Sequence, residues 1–138
     1  MNTILVLDDE EPIRKIVRIT LASVGYTVFE ASTAIEALSF LDYGETGLDL
    51  LIADVNLLSG PSGVRVALEL RSLFPFLRTI LISGVPLGMW NDQDAAEWSE
   101  LPSDSVVVLE KPFHAAELLE RVRTLMRFCS MSPWLGKR

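Results

Sequence analysis

The chain has 138 residues, 49% of them apolar and 22% charged, with a formal net charge of −7. That length fits one domain with a sizeable core, and the apolar share excludes a disordered chain. The negative charge opposes nucleic-acid binding, which sets Lys and Arg against phosphates, and a single cysteine, Cys129, excludes an intrachain disulfide or a cysteine metal cluster.

The first apolar run, residues 3–7 (TILVL), predicts a β-strand that ends on the acids Asp8, Asp9, Glu10 and Glu11. Acids so close behind a short apolar run, without a basic leader, do not read as a signal peptide. The next segment has helical spacing, with Ile13, Ile16, Val17, Thr20, Leu21 and Val24 on one stripe and Gly25 at its stop. Residues 27–30 predict a second strand. Thr33 to Asp42 predicts a second helix, with Ala34, Ala37, Leu38 and Leu41 inward.

A third strand over residues 49–53 delivers Asp54, and a helix from Gly63 to Phe74 follows, stopped by Pro75. The fourth strand, residues 78–83, ends on Ser83. Residues 84–104 hold two Pro, two Gly and no stripe beyond Ala95, Ala96 and Trp98, so a long loop with a short helix is expected. Residues 105–109 predict the fifth strand, and Lys111 follows it. The last helix runs from about Ala115 to Phe128, with Leu118, Leu119, Val122, Leu125 and Met126 in register, and the tail from Ser130 to Arg138 reads as irregular. No run approaches the roughly 18 apolar residues that span a bilayer. A soluble, cytoplasmic protein without a membrane partner is expected.

Strands that alternate with helices of this length predict βαβ units, hence a doubly wound parallel α/β sheet, (βα)5, with a short or irregular fourth helix. The near-continuous apolarity of the strands suits burial on both faces. In such a sheet the strand C-termini share one edge, where ligands bind. Asp8, Asp9, Asp54, Ser83 and Lys111 therefore meet in one pocket that holds three carboxylates, a hydroxyl and an ammonium. That set suits a divalent metal and a phosphoryl group.

Each residue also has a plainer role. Crowded carboxylates at Asp8 and Asp9 invite a hard cation such as Mg2+, but the acidic run would also favour the N-terminus of the first helix. Asp54 can act as a nucleophile that forms an acyl phosphate, or it can open the next loop. Lys111 can hold a phosphate as a point charge, or it can lie on the surface before the turn at Pro112. Ser83 can donate to a phosphoryl oxygen or cap a loop. Four strand ends with acid pair, acid, hydroxyl and lysine in that order favour the chemical reading of the set.

The stretches that carry these residues are VLDDEEPIR, LLIADVNL, LISG and LEKPF. With them the chain resembles, over about residues 2–128, the receiver domain of two-component response regulators. The resemblance implies a flavodoxin-like sheet of order 2-1-3-4-5 and a cis bond before Pro112. It implies that Asp54 accepts a phosphoryl group from a histidine kinase or a histidine phosphotransfer protein. Asp8 or Asp9, most directly Asp9, would hold Mg2+ with Asp54 and the backbone carbonyl of Asn56. Ser83 would bind the phosphoryl oxygen and Lys111 would pair with it. Residues 1–128 would form the receiver and 129–138 a tail without an output domain. The signal would then pass to a downstream protein target, with autodephosphorylation as the only turnover.

Three departures from that pattern stand out. Leu58 and Ser62 occupy the places where the family commonly has Pro and Gly, while Pro61 and Gly63 lie nearby, which implies a longer loop over the pocket. The segment from Ser83 to Lys111 is several residues longer than usual, which implies a remodelled face around the fourth helix. Val108 stands three before the lysine, where the family usually has Tyr or Phe, so coupling through an aromatic rotamer at that place is lost. Other readings are a receiver-like binding module that does not switch, one receiver of a hybrid histidine kinase, and a metal-dependent phosphatase or transferase. The last lacks an insertion to enclose a substrate. His114 reads as part of the start of the last helix. Trp90 and Trp98 either anchor a partner or tuck inward, and Trp134 is free to dock on the domain or on another chain.

Overall fold

The computed structural model describes residues 3–39, 47–58 and 60–137. In chain order the elements are β1 (Thr3–Leu7), α1 (Glu11–Ala22), β2 (Thr27–Ala31), α2 (Ala34–Leu38), β3 (Leu50–Asp54), α3 (Gly63–Leu73), β4 (Arg78–Ser83), a 3-10 turn (Leu87–Met89), α4 (Asp92–Trp98), β5 (Val106–Glu110) and α5 (Ala115–Lys137). The five strands form one parallel sheet in the order β2-β1-β3-β4-β5. This is the flavodoxin-like (βα)5 arrangement, and the Lys111–Pro112 bond is cis.

Side chains alternate across each strand, so the sheet divides the interior in two. Leu5, Leu7, Leu51, Ala53 and Leu81 face α2, α3 and α4, with Val64, Ala67, Leu70 and Trp90. Ile4, Val6, Leu50, Ile52, Ile80 and Ile82 face α1 and α5, with Val17, Leu21, Leu118 and Val122. β1, β3 and β4 are buried throughout, as continuous apolar runs require. The two edge strands differ: β2 buries only Ala31 and β5 only Leu109.

The helices start on chemical signals near the predicted positions. The Thr33 hydroxyl accepts from Glu36 N–H at 3.1 Å at the head of α2, and the Asn91 side chain accepts from Asp94 N–H at 2.7 Å at the head of α4. Gly25, at φ 102°, ends the turn after α1 in a conformation that glycine tolerates best. The α1 stripe is narrower than its spacing suggests. Val17 and Leu21 are buried, but Ile16 and Val24 are 53% and 45% exposed. α1 leans on the exposed edge strand, so the flanks of its apolar arc meet solvent.

Two further segments depart from expectation. α4 buries Asp94 and Glu97, while Ala95 and Trp98 of the expected stripe are half-buried and Ala96 is exposed, and Arg65 of α3 pairs with Glu97 at 3.4 Å. α5 continues to Lys137, where an irregular tail was expected from Ser130. Extending a formed helix adds one hydrogen bond per residue without the cost of a new nucleus. Leu41 and the side chain of Trp134 lie outside the described residues.

Candidate functional site

The sheet register brings the site together. Asp54 pairs with Ile82 and Ser83 with Glu110 across neighbouring strands. Lys111 N–H then donates to the Ser83 carbonyl at 2.8 Å, and Val55 N–H donates to the Ile82 carbonyl at 2.8 Å. The C-terminal ends of β1, β3, β4 and β5 thus lie side by side. A pocket of about 390 Å³ opens there, lined by Asp9, Glu10, Asp54, Asn56, Leu58, Gly84 and Lys111.

Asp8, Asp9 and Asp54 each place a carboxylate oxygen within 4.8 Å of the others. Asp8 and Asp54 are nearly buried, at 2% and 4% exposure. Lys111 Nζ donates to Asp54 Oδ2 at 2.9 Å and to Glu10 Oε1 at 3.2 Å. It lies 3.4 Å from Asp8 Oδ2, an ion-pair distance without hydrogen-bond geometry, so that buried oxygen has no hydrogen-bond partner among the described residues. Asp54 Oδ1 accepts from Asn56 N–H at 2.9 Å, and Asp9 Oδ2 accepts from Leu58 N–H at 2.9 Å, which ties the β3–α3 loop over the pocket.

The electrostatics follow from this crowding. Burial pushes Asp8 above its ordinary value; the Glu10 N–H opposes the rise, the charge of Asp54 adds to it, and Lys111 opposes it. Burial pulls Lys111 down, but the hydrogen bond and charge of Asp54, then Asp8 and Glu10, outweigh burial and hold the ammonium well above the usual lysine value. Lys111 is therefore a fixed positive charge. One cation faces a larger number of acids, and a buried Asp8 oxygen remains without a hydrogen bond. An all-oxygen set of this kind fits a hard divalent cation.

These contacts show which of the plainer roles each residue also fills. Glu10 is the N-cap residue of α1 and Glu11 lies in its first turn, so the acidic run does favour that helix end, but no side chain makes a cap hydrogen bond there. Asp54 does open a local turn to Asn56, but the cap of α3 is Ser62, and the other Asp54 oxygen faces Lys111. The Lys111 side chain is 20% exposed and held by three acids, unlike a surface lysine. Ser83 reaches the expected strand end but is fully buried, and its Oγ donates to the Val85 carbonyl at 2.8 Å, turned toward its own loop. His114 is exposed, and its carbonyl accepts from Leu118 N–H in the first turn of α5. Trp90 and Trp98 both pack inward.

Two positions were not legible as part of the site. Glu10 is a direct partner of Lys111, although the sequence shows only one more acid in a run. Gly63, the first residue of α3, lies against the Asp54 backbone, so that an added Cβ would overlap the Asp54 carbonyl oxygen and crowd Ala53. The one available signal was a glycine one place beyond the usual family position.

Comparison with known proteins agrees with this geometry. The response regulator receiver domain model matches residues 4–123. The chain is 32% identical over 126 residues to the regulatory protein VanR of Enterococcus faecium, covering 91% of this chain and 50% of that protein. It is 32% identical over 127 residues to the sensor kinase CckA of Brucella abortus, covering 90% of this chain and 12% of that protein. A receiver protein structure from Sinorhizobium medicae superposes with a TM-score of 0.77 at 29% identity, covering 93% of this chain and 96% of that one. A CheY-like receiver structure from Methanospirillum hungatei, at 21% identity and TM-score 0.79, shares the fold over 96% of this chain and 98% of that one.

The fold, the carboxylate cluster and these matches together make the chain a member of the response regulator receiver domain family. Members of this family are autocatalytic phosphoacceptors in two-component signal transduction, not enzymes that turn over an outside substrate. The acidic cluster found here is consistent with that phosphoaccepting, metal-coordinating role. The chain spans about half the length of VanR and a small part of CckA.

Proposed function

We propose that Asp54 is the phosphoacceptor, that its donor is a phosphohistidine on a histidine kinase or a histidine phosphotransfer protein, and that the readout is a protein partner. The observation that carries this reading is Lys111 Nζ at 2.9 Å from Asp54 Oδ2, inside the triad of Asp8, Asp9 and Asp54. Residues 1–128 form the receiver unit on this reading. No helix among the described residues is long and apolar enough to cross a membrane, and a cytoplasmic site of action is part of the proposal.

An Asp54 carboxylate oxygen attacks the phosphorus of the donor. The O–P bond forms, the N–P bond breaks, and the imidazole leaves with the bonding pair. Lys111 offsets the charge that arrives on the phosphoryl oxygens. Ser83 turns its hydroxyl away from the Val85 carbonyl and donates it to one of those oxygens. Asp9 or Asp8, with Asp54 and the Asn56 carbonyl, would hold Mg2+, which when bound would neutralise charge on the transferring group. Attack of water on phosphorus later restores the carboxylate and releases inorganic phosphate. In between, the added charge biases the surface of β4, α4 and β5 that a partner reads.

The nature of the label tests this reading. Transfer from a phosphohistidine donor should give one acid-stable, hydroxylamine-labile acyl phosphate that maps to Asp54. Equal labelling of Asp54→Asn, or a label that survives hydroxylamine, would refute it.

A further inference from the structure

The Val85 carbonyl has two donors. Ser83 Oγ donates to it at 2.8 Å and in turn accepts from Val85 N–H at 3.1 Å. The Trp90 indole Nε1–H donates to the same oxygen at 3.4 Å. The shorter bond belongs to the hydroxyl that the phosphoacceptor reading requires to leave. The longer one is at the far end of hydrogen-bond range and has room to tighten.

Trp90 is 8% exposed and packs in the interior layer that holds Leu81, Leu87, Leu101 and Val108. It directly precedes Asn91, the cap of α4. Val108 stands opposite Leu81 on β5 and has no hydrogen-bonding group to report what Ser83 does. The indole of Trp90 does. α4 itself is imperfectly satisfied: Glu97 Oε1 and Trp98 Nε1 are buried with no hydrogen-bond partner among the described residues. Unmet bonds of this kind lower the cost of a second placement of the helix.

We propose that Trp90 is a positioning residue for Ser83: its indole N–H keeps the Val85 carbonyl bonded when the Ser83 hydroxyl turns to a phosphoryl group on Asp54, and the tightening of that bond carries the event to the start of α4. This rests on the phosphoacceptor reading of Asp54. Without the indole, the turn of Ser83 would leave the Val85 carbonyl without a donor from the protein, and the loss of that hydrogen bond shifts the equilibrium by about fivefold.

Indole 15N–1H NMR of the full chain tests the proposal, with beryllium fluoride plus Mg2+ as the phosphoryl mimic and Trp90→Phe and Trp98→Phe to assign the signals. In Ser83→Ala without the mimic, the Trp90 indole proton should move downfield, because its competitor for the Val85 carbonyl is gone. In wild type the mimic should move it in the same direction. Trp90→Phe, which keeps most of the packing, should bind the mimic about fivefold more weakly, while Trp98→Phe, which removes an unpartnered N–H, should bind it normally. A Trp90 signal unmoved in both experiments while the mimic binds would overturn the relay and leave Asp54 as phosphoacceptor. Failure of wild type to bind the mimic, together with no adduct from an acyl-phosphate donor, would overturn the phosphoacceptor reading and the relay with it.

Discussion

Lys111 Nζ stands 2.9 Å from Asp54 Oδ2 and 3.4 Å from Asp8 Oδ2, so one ammonium ties the end of β5 to the ends of β3 and β1. Removing it leaves two buried carboxylates facing each other without a counter-charge. Lys111→Met should destabilise the metal-free protein by about 2–4 kcal/mol, and Mg2+ should restore part of the loss. Urea denaturation with and without chelator measures both effects. An unchanged midpoint in chelator would show that the pair does not support the fold.

The pH dependence has a definite sign. Asp8 titrates in the fold above its ordinary 3.8, so between those values the folded state binds more protons than the unfolded one, and stability falls as pH rises through that window. Lys111 acts in the same direction at the alkaline end: its contribution is complete below its ordinary 10.5 and is lost as pH rises through the higher folded value. Asp8→Asn should therefore raise the metal-free melting midpoint at neutral pH and flatten its acid-side dependence. The matching loss should be a weaker response to Mg2+. Melting curves across pH in chelator would contradict this if the variant followed the wild-type profile.

A cation that binds the folded triad and not the unfolded chain must stabilise the fold. At a Mg2+ concentration about 100 times its dissociation constant, the gain should be about 2.7 kcal/mol. Asp54→Asn and Asp9→Asn should each reduce that gain. A melting temperature indifferent to Mg2+ in wild type would rule out a metal role for the triad.

Gly63 sits against the backbone of the residue proposed to accept phosphate, with no room for a Cβ beside the Asp54 carbonyl. Gly63→Ala should cost about 1–3 kcal/mol of stability, the usual penalty for overpacking, and should slow phosphoryl uptake by displacing Asp54. Gly84, where an added Cβ would meet nothing within 4 Å, is the control. Equal stability of Gly63→Ala and Gly84→Ala would contradict the close-approach argument.

The sheet and the site were legible because both rest on strong local signals. Apolar runs marked the strands nearly to the residue, and the chemistry-bearing side chains sit just past them, where a parallel sheet gathers its C-terminal ends. What stayed hidden depends on contacts distant in sequence. Ile16 carries the same apolar signal as Val17, yet it is exposed because α1 rests beside an edge strand. No spacing in the sequence marks Asp94 or Glu97 as buried, yet both are, and Glu97 meets Arg65 of α3 there. The fit of Gly63 against Asp54 depends on where the loop returns, and spacing does not encode that.

The most direct test of the central claim is intact mass after incubation with a small acyl-phosphate donor, with and without Mg2+, for wild type and Asp54→Asn. One phosphoryl adduct that forms on wild type only, and only with Mg2+, is the expected result. An adduct of equal stoichiometry on Asp54→Asn, or no adduct on wild type under any condition, would contradict the assignment of Asp54 as phosphoacceptor.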